Sequence, residues 1–365
     1  MSSHEAPVGP SRTEGDTIMR VRDASVAFQM DRGESRVLND VDVDIRREEV
    51  LGVIGESGSG KSMFASSLLN AVVEPGVTTG EITYYPSGGE PVDVLGLDDD
   101  ELRAFRWEEV AMVFQGAMSS FNPVMTIGAH FRETVDQHDY DMTEGMERAR
   151  QLISDLYMDP DRVLDSYPHE LSGGMQQRAI IALALLLEPS VVIADEPTTA
   201  LDVIMQDQVF QELEDMKEDF ETSMLLITHD ISLVFESCDR MAVMHGGQIA
   251  ETGAVTSIYD EPRHPYSILL QGAFPDIKDP DRELETIDGA PPQLYGEVTE
   301  CSFVDRCPWA IDECSSKAPH LDPIEGSDDD SHRAACFRKH EVLDMYRAEN
   351  DSLGARSATD GGDPS

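Results

Sequence analysis

Positive charge is scarce in this sequence. Lysine occurs only five times in 365 residues, and 27 lysines and arginines face 72 aspartates and glutamates, for a formal net charge of −45. A chain with so few cations has no basic surface to displace counterions from phosphates, which argues against a nucleic acid partner. Strongly apolar runs alternate with the acids, so an acidic disordered chain is also excluded. We interpret the charge as adaptation to molar salt, where screening limits self-repulsion to about 3 Å, and expect an extreme halophile as the source.

Long apolar runs and a secretion signal are lacking as well. No run approaches the ~20 apolar residues of a membrane-spanning helix. Residues 1–17 are polar and contain no apolar core, which a secretion signal would need. We predict that residues 1–17 and 343–365 form disordered tails. Five cysteines in a chain of this length do not make a dense disulfide framework and favour a reducing cytosol.

The order of the remaining segments predicts an α/β fold. Apolar runs typical of strands alternate with helical spacing, which indicates a mostly parallel sheet with a helical insertion at about residues 119–187. This region spans residues 18–255. Proline then becomes frequent and helical periodicity fades, so residues 256–342 are predicted to form a small, loop-rich C-terminal extension.

A phosphate-binding loop is the clearest motif. The segment "GESGSGKS" (55–62) fits the pattern G-x-x-x-x-G-K-[ST], and it lies between an apolar strand and a predicted helix, as that loop requires. Its backbone N–H groups can surround phosphate oxygens, Lys61 can reach the β- and γ-phosphates, and Ser62 can bind Mg²⁺. The predicted nucleotide-binding set here is Gly55, Glu56, Ser57, Gly58, Ser59, Gly60, Lys61 and Ser62.

Two adjacent acids end a second apolar strand. In "VVIADEP" (191–197), Asp195 can hold the hydration shell of Mg²⁺, and Glu196 can polarise the attacking water. Two acids on a surface loop would be the ordinary alternative in so acidic a chain, but the preceding apolar run disfavours it. The two motifs together predict Mg²⁺-dependent hydrolysis of a nucleotide.

A third motif, "LSGGMQQR" (171–178), identifies the class. It places Ser172, Gly173 and Gly174 at a helix N-terminus, which is where an anion binds. Lying shortly before the strand that ends in Asp-Glu, this string resembles the signature motif of ATP-binding cassette (ABC) proteins. The resemblance covers about residues 18–255. It implies a P-loop NTPase (RecA-like) core with an antiparallel β subdomain and a helical subdomain.

Four further residues match the family's motifs one by one. Phe28 resembles the aromatic that stacks on adenine. Gln115 resembles the Q-loop glutamine, which senses Mg²⁺ and the γ-phosphate and faces the membrane subunits, so that Ser62, Gln115 and Asp195 form the implied Mg²⁺ set. Asp202 matches the D-loop aspartate, which reaches the other subunit. His229 in "LLITHD" matches the switch histidine, which holds the γ-phosphate and orients water.

The resemblance also implies a mechanism and a location. In the family the signature of one subunit closes over the ATP of another, so two ATP molecules join a head-to-tail dimer and hydrolysis releases it. Lys61, Gln115, Glu196 and His229 are the implied catalytic residues, and charge neutralisation and positioning of water supply most of the catalysis. The implied location is peripheral, on the cytoplasmic face of the membrane.

Three segments narrow the resemblance to the oligopeptide and dipeptide (peptide/nickel) importers. These are "FQGAMSSFNPVMTIG" (114–128), "YDEPRHPYSILLQGAFP" (259–275) and the cysteine-containing tail of 289–336. The implied partners are two integral-membrane permease subunits, a second homologous ATPase in a heterodimer and, indirectly, an extracellular solute-binding protein. Nickel or oligosaccharide uptake with the same ATPase role is the alternative.

The four clustered cysteines are candidate metal ligands. Cys301, Cys307, Cys314 and Cys336 follow the spacing C-x5-C-x6-C-x21-C, which lacks the tight C-x2-C knuckles typical of zinc sites. Spacing alone leaves an iron–sulfur cluster, zinc and reduced thiols as alternatives. The resemblance implies a [4Fe–4S] cluster. Cys238 stands apart and is interpreted as a small buried apolar residue.

Two other function classes compete with the importer. A soluble ABC ATPase of repair or translation would usually carry two cassettes or a long coiled coil, and would need basic surface. A metal-dependent redox sensor would need a flavin or electron-partner site. The sequence contains neither set of features.

Overall fold

The structure, a computed structural model, describes residues 17–30, 33–114, 120–197, 222–273, 286–292, 295–296 and 298–349. Its core lies between two β-sheets and the helices that pack on them. The strands are β1 (Thr17–Met30), β2 (Gly33–Arg46), β3 (Val50–Ile54), β4 (Gly76–Tyr84), β5 (Val92–Asp93), β6 (Val110–Val113), β7 (Val191–Asp195), β8 (Ser223–Ile227), β9 (Arg240–His245), β10 (Gln248–Ala254), β11 (Asp322–Pro323) and β12 (Arg333–Ala334). The helices are α1 (Lys61–Leu68), α2 (Asp99–Ala104), α3 (Ile127–Gln137), α4 (Met142–Asp155), α5 (Pro160–Asp165), α6 (Gly173–Ala184), α7 (Ile231–Ser237), α8 (Val255–Asp260) and α9 (Pro265–Gly272).

The larger sheet confirms the predicted parallel core. Its order is β11-β12-β10-β9-β3-β8-β7-β6, and β9, β3, β8, β7 and β6 pair in parallel. Strands β3, β7, β8 and β9 are buried along their whole length. Such continuous burial, in runs rich in Val, Ile and Leu, is what a parallel sheet covered on both faces requires.

Two hydrophobic clusters cover the two faces of this sheet. Successive residues of β7 belong to different clusters. Val192 and Ala194 pack with α3 to α6 on one face, whereas Val191 and Ile193 pack with α1 and a second sheet on the other. That second sheet is antiparallel, with the order β2-β1-β4-β5. The phosphate loop and the signature motif therefore lead into helices on opposite faces of one sheet.

The C-terminal extension joins the sheet at β10 through buried polar contacts. The carboxylate of Glu251, which is fully buried, accepts hydrogen bonds from the backbone N–H groups of Arg263 and His264, at 2.7 and 2.9 Å. The same carboxylate lies 2.7 Å from Nε2 of His332. Because a buried carboxylate is costly without such partners, these contacts fix the extension against the cassette.

The C-terminal end of the described chain differs from the prediction. Residues 343–349, predicted as the start of a disordered tail, belong to a helix that covers 342–349. Val342 is fully buried and packs with Ile268 and Trp309, so apolar contacts give this short segment its order. Within the described part of the chain, no helix is long and apolar enough to cross a membrane.

Candidate ATP site

The phosphate loop follows β3 and shapes a cradle from its backbone. Gly55 and Gly60 have φ of 153° and 107°, a region that residues with side chains rarely adopt. A Cβ on Gly55 would lie 2.2 Å from the carbonyl oxygen of Met244. The loop can therefore take this path only with glycine at that point, and it delivers Lys61 to the first turn of α1.

Lys61 lies inside the loop rather than in solvent. Its ammonium donates hydrogen bonds to the carbonyl oxygens of Gly55 and Glu56, at 2.8 and 3.0 Å. Burial lowers the pKa of Lys61, and the carboxylates of Glu196, Asp195 and Glu56 oppose that shift. The ammonium is thus placed where it can meet negative charge brought into the loop.

Asp195 and Ser62 come together at the end of β7. Asp195 is buried, and its side chain forms a hydrogen bond with Ser62. Burial raises the pKa of Asp195, which the bond to Ser62 partly offsets. Its Oδ1 is buried and has no hydrogen-bond partner among the described residues. An orphaned carboxylate oxygen beside a hydroxyl fits the oxygen ligands that Mg²⁺ prefers.

Glu196 and His229 face each other at the ends of neighbouring strands. Oε1 of Glu196 and Nδ1 of His229 are 3.6 Å apart. The backbone N–H of Glu196 donates to the carbonyl oxygen of Ile227 in β8, at 2.8 Å, which ties the two strand ends together. The side chain of Glu196 is 16% exposed and that of His229 is 65% exposed. The carboxylate is therefore sheltered while the imidazole opens to solvent.

The signature motif is exposed at the start of α6. Ser172 caps the helix by accepting a hydrogen bond from the backbone N–H of Met175, at 3.4 Å. Ser172 and Gly173 are exposed, and α6 packs against α4 and β6. Because α1 belongs to the cluster on the other face of the sheet, the motif and its own phosphate loop lead into helices on opposite faces.

The predicted roles of Phe28, Gln115 and Asp202 are not tested by the structure. Phe28 lies near the end of β1 and pairs with Ser35 of β2 and with Gly76 of β4, and its ring lies beside Gly76. It is partly buried and stays a prediction as the adenine aromatic. Gln115 and Asp202 lie outside the described residues.

Residues of the C-terminal extension also reach the phosphate loop, which motif reasoning missed. The hydroxyl of Tyr266 in α9 accepts a hydrogen bond from the backbone N–H of Glu56, at 2.8 Å. The guanidinium of Arg306 donates to both carboxylate oxygens of Glu56, at 2.7 and 2.8 Å. Because 210 and 250 residues separate these pairs, no local pattern in the sequence could have indicated them.

A shallow cavity beside the phosphate loop also brings residues of the loop and of the extension together. It is lined by Ile54, Gly55, Glu56, Ser57, His229, Ile231, Leu270, Ala273, Thr286 and Ile287. Leu270 and Ala273 come from the end of α9, and Thr286 and Ile287 come from the extension. The wall around the phosphate loop is therefore built jointly by the cassette and the extension.

The four clustered cysteines line one small cavity of the extension, together with His264 and Trp309. Burial raises the pKa of Cys307 to about 11 and that of Cys336 to about 12, and the neighbouring cysteines add to both shifts. Within the described ranges, no three His, Cys, Asp or Glu side chains converge as a single metal ion needs.

Comparisons with known proteins agree with this geometry. A family described as "ABC transporter" matches residues 38–199, and one described as "Oligopeptide/dipeptide transporter, C-terminal region" matches residues 250–314. Among solved structures, a dimeric post-hydrolysis state of an ATP-binding cassette bound to ADP and Pi is similar, with a TM-score of 0.56 and 26% identity. That likeness covers 65% of this chain and 99% of the other.

Curated relatives extend the likeness over nearly the whole chain. A probable peptide ABC transporter ATP-binding protein of Sinorhizobium fredii is 38% identical over 92% of this chain and 99% of the relative. The oligopeptide transport ATP-binding protein OppD of Escherichia coli is 37% identical over 93% and 98%. The dipeptide transport ATP-binding protein DppD of Caldanaerobacter subterraneus is 34% identical over 85% and 94%. The chain belongs to the family of ABC transporter ATP-binding proteins that includes these oligopeptide and dipeptide transport ATPases.

Proposed function

We propose that this ATPase energises the import of di- and oligopeptides. One observation carries the proposal: Lys61, Asp195, Glu196 and His229 lie close together, in a chain whose extension matches the C-terminal region of oligopeptide and dipeptide transporters. Lys61 would neutralise the β- and γ-phosphates, Ser62 and Asp195 would hold Mg²⁺, Glu196 would polarise the attacking water, and His229 would orient it. Gln115, Asp202 and Phe28 complete the site as the family resemblance implies.

The direct test is uptake by cells or vesicles that carry the whole transporter. Radiolabelled tripeptide should accumulate with the wild-type chain and fail to accumulate when Glu196→Gln replaces it. Uptake of Ni²⁺ or of an oligosaccharide, with no peptide uptake, would reject peptides as the solute and leave the ATPase role intact. A chain that hydrolyses ATP but purifies with no membrane protein would reject the importer.

The exposed signature motif supports an ATP-driven, head-to-tail pairing of two cassettes. Ser172 and Gly173 are exposed, and their helix packs on the face of the sheet opposite to α1, so we propose that Ser172, Gly173 and Gly174 bind the phosphates of a partner's ATP. We propose that the partner is a second, homologous ATPase. Co-expression of the two ATPase genes should give an ATP-dependent heterodimer by gel filtration, whereas a stable ATP-bound homodimer of this chain alone would favour the opposite arrangement.

A cleft between α2, α3 and α6 supplies a docking surface for the permeases. Its volume is about 680 Å³, and Phe114, Phe121, Glu133 and Leu183 are among its lining residues. Phe114 is 50% exposed and directly precedes Gln115, which the resemblance places toward the membrane subunits. A short cytoplasmic helix of a permease is the occupant we propose, with the chain held at the cytoplasmic face of the membrane.

A charge reversal in this cleft tests the permease contact. Glu133→Arg should reduce co-purification of the permeases at least tenfold, because a long cation would fill the exposed side of the cleft. Asp136→Arg is the matched control: it lies on the same helix, is exposed, and is not among the cleft residues. Equal loss in both variants would show that charge on α3, and not the cleft, controls association.

We propose that the four clustered cysteines hold an iron–sulfur cluster, which would act as a structural clamp of the extension. Cys301, Cys307, Cys314 and Cys336 line one cavity and offer four sulfur atoms, the ligand number of a [4Fe–4S] cluster. The chain should purify brown, with a broad iron–sulfur band in the visible spectrum that is lost in Cys307→Ser and kept in the control Cys238→Ser. A colourless chain containing stoichiometric zinc would reject the cluster.

A further inference from the structure

A turn of the C-terminal extension lies against the phosphate loop. Residues Val304–Arg306 form a short 3-10 turn between two of the clustered cysteines, closed by hydrogen bonds such as that from the N–H of Arg306 to the carbonyl oxygen of Phe303, at 3.1 Å. Phe303 is 1% exposed and packs against the rings of His245 and Tyr266, with ring centres 5.1 and 5.4 Å apart. This packing leaves the turn little freedom to move.

Arg306 is presented by this turn in a fixed orientation. Its Nε donates to the carbonyl oxygen of Asp288 at 2.9 Å, and its guanidinium lies over the ring of Phe303 at 5.6 Å. The side chain is only 6% exposed. The two remaining nitrogens both donate to Glu56, which makes a bidentate pair of the kind that fixes geometry as well as charge.

Each polar group of Glu56 forms a hydrogen bond. Its N–H donates to Tyr266, its carboxylate accepts from Arg306, and its carbonyl oxygen accepts from Lys61 at 3.0 Å and from the N–H of Ser59 at 3.2 Å. Contact with Arg306 also holds the pKa of Glu56 below its ordinary value. One residue thus links the extension to the lysine that meets the phosphates.

We propose that Arg306 is a positioning residue for ATP: through Glu56 it fixes the phosphate loop and neutralises a carboxylate that would otherwise repel the triphosphate. The extension is thereby part of the nucleotide site, not only a neighbour of it. The cavity shared by Glu56, Ser57, Thr286 and Ile287 supports the same conclusion from a different set of contacts.

The charges of Glu56 and Arg306 explain why this ion pair affects nucleotide binding. Glu56 belongs to a loop whose N–H groups surround phosphates, and a carboxylate there is a like charge for ATP. Arg306 cancels that charge within hydrogen-bonding distance and in a poorly solvated position, where screening by solvent is weak. Removing Arg306 alone leaves the Glu56 carboxylate charged and without its partner, whereas removing both charges leaves Lys61 as the charged group of the loop.

This difference gives the test, in which ATP affinity is measured by calorimetry on the isolated full chain. Arg306→Met should weaken ATP binding about tenfold or more, the effect of losing a charged hydrogen-bond partner. Arg306→Met combined with Glu56→Gln should bind ATP within about threefold of Glu56→Gln alone. In steady state, Arg306→Met should raise KM with kcat little changed, because the contact forms before and during hydrolysis alike.

Lys339→Met is the matched control, since Lys339 is another cation of the extension, paired with Asp322 at 3.1 Å and away from the loop. It should keep the ATP affinity of the wild type. Wild-type affinity in Arg306→Met, or no recovery in the double variant, would overturn the proposal. Unfolding midpoints of all variants separate a folding defect from a binding defect. The inference rests on ATP binding and not on the solute, so its failure would leave the peptide-import proposal standing.

Discussion

Glu196→Gln is expected to hydrolyse ATP at least about a hundredfold more slowly than the wild type while binding ATP equally well. Glutamine keeps the size and shape of the side chain but cannot accept a proton from water. Glu196 follows Asp195 directly and faces His229 at 3.6 Å, where the ends of β7 and β8 meet. In the proposed function, this carboxylate would accept a proton from the water that attacks the γ-phosphate.

Two measurements separate this role from a structural one. The ATP affinity measures nucleotide binding at the phosphate loop, and the rate of single-turnover hydrolysis measures the chemical step. In Glu196→Gln the hydrolysis rate should fall and the ATP affinity should not change. Glu188→Gln is the matched control, because Glu188 is an exposed glutamate that pairs with Arg148 outside the site. Turnover at the wild-type rate in Glu196→Gln would show that another group activates the water.

The sequence predicted the cassette well because its signals are local. A phosphate loop, two acids at the end of a buried strand and a glycine pair at the start of a helix each occupy a few consecutive residues. The apolar runs of β3, β7 and β8 are typical of a covered parallel sheet, and that is where they lie. Residue type and spacing were therefore enough to predict the approximate place of Lys61, Asp195, Glu196 and His229 relative to the sheet.

Contacts of the extension could not be predicted in the same way. The pairs Glu56–Arg306 and Glu251–His332 join residues separated by 250 and 81 positions. No local sequence pattern indicates which residue each of them contacts. Strands β11 and β12 have two residues each and no apolar run; they are strands only because β12 pairs with β10 and β11 pairs with β12. The helix 342–349 likewise depends on packing against Ile268 and Trp309. Tertiary contact, not local preference, decides the structure there.

Salt is expected to change the stability of this chain more than any single substitution. With a net charge of −45, carboxylates repel one another over about 10 Å at 0.1 M salt and over only about 3 Å at 1 M. We expect the chain to be folded at about 2 M KCl and largely unfolded at about 0.1 M, because self-repulsion destabilises the compact state when screening is lost. Circular dichroism during dialysis from high to low KCl measures the transition.

Charge variants distinguish screening from a general effect of salt on apolar surface. Four exposed acids suit the experiment: Glu81, Glu90, Asp136 and Glu147. Replacing them by Gln or Asn removes one negative charge each, and replacing them by Lys changes the charge twice as much. If repulsion sets the salt requirement, the KCl midpoint should fall in both variants, and about twice as far with Lys. An unchanged midpoint in both would contradict the electrostatic explanation, since the apolar core is identical in all three chains.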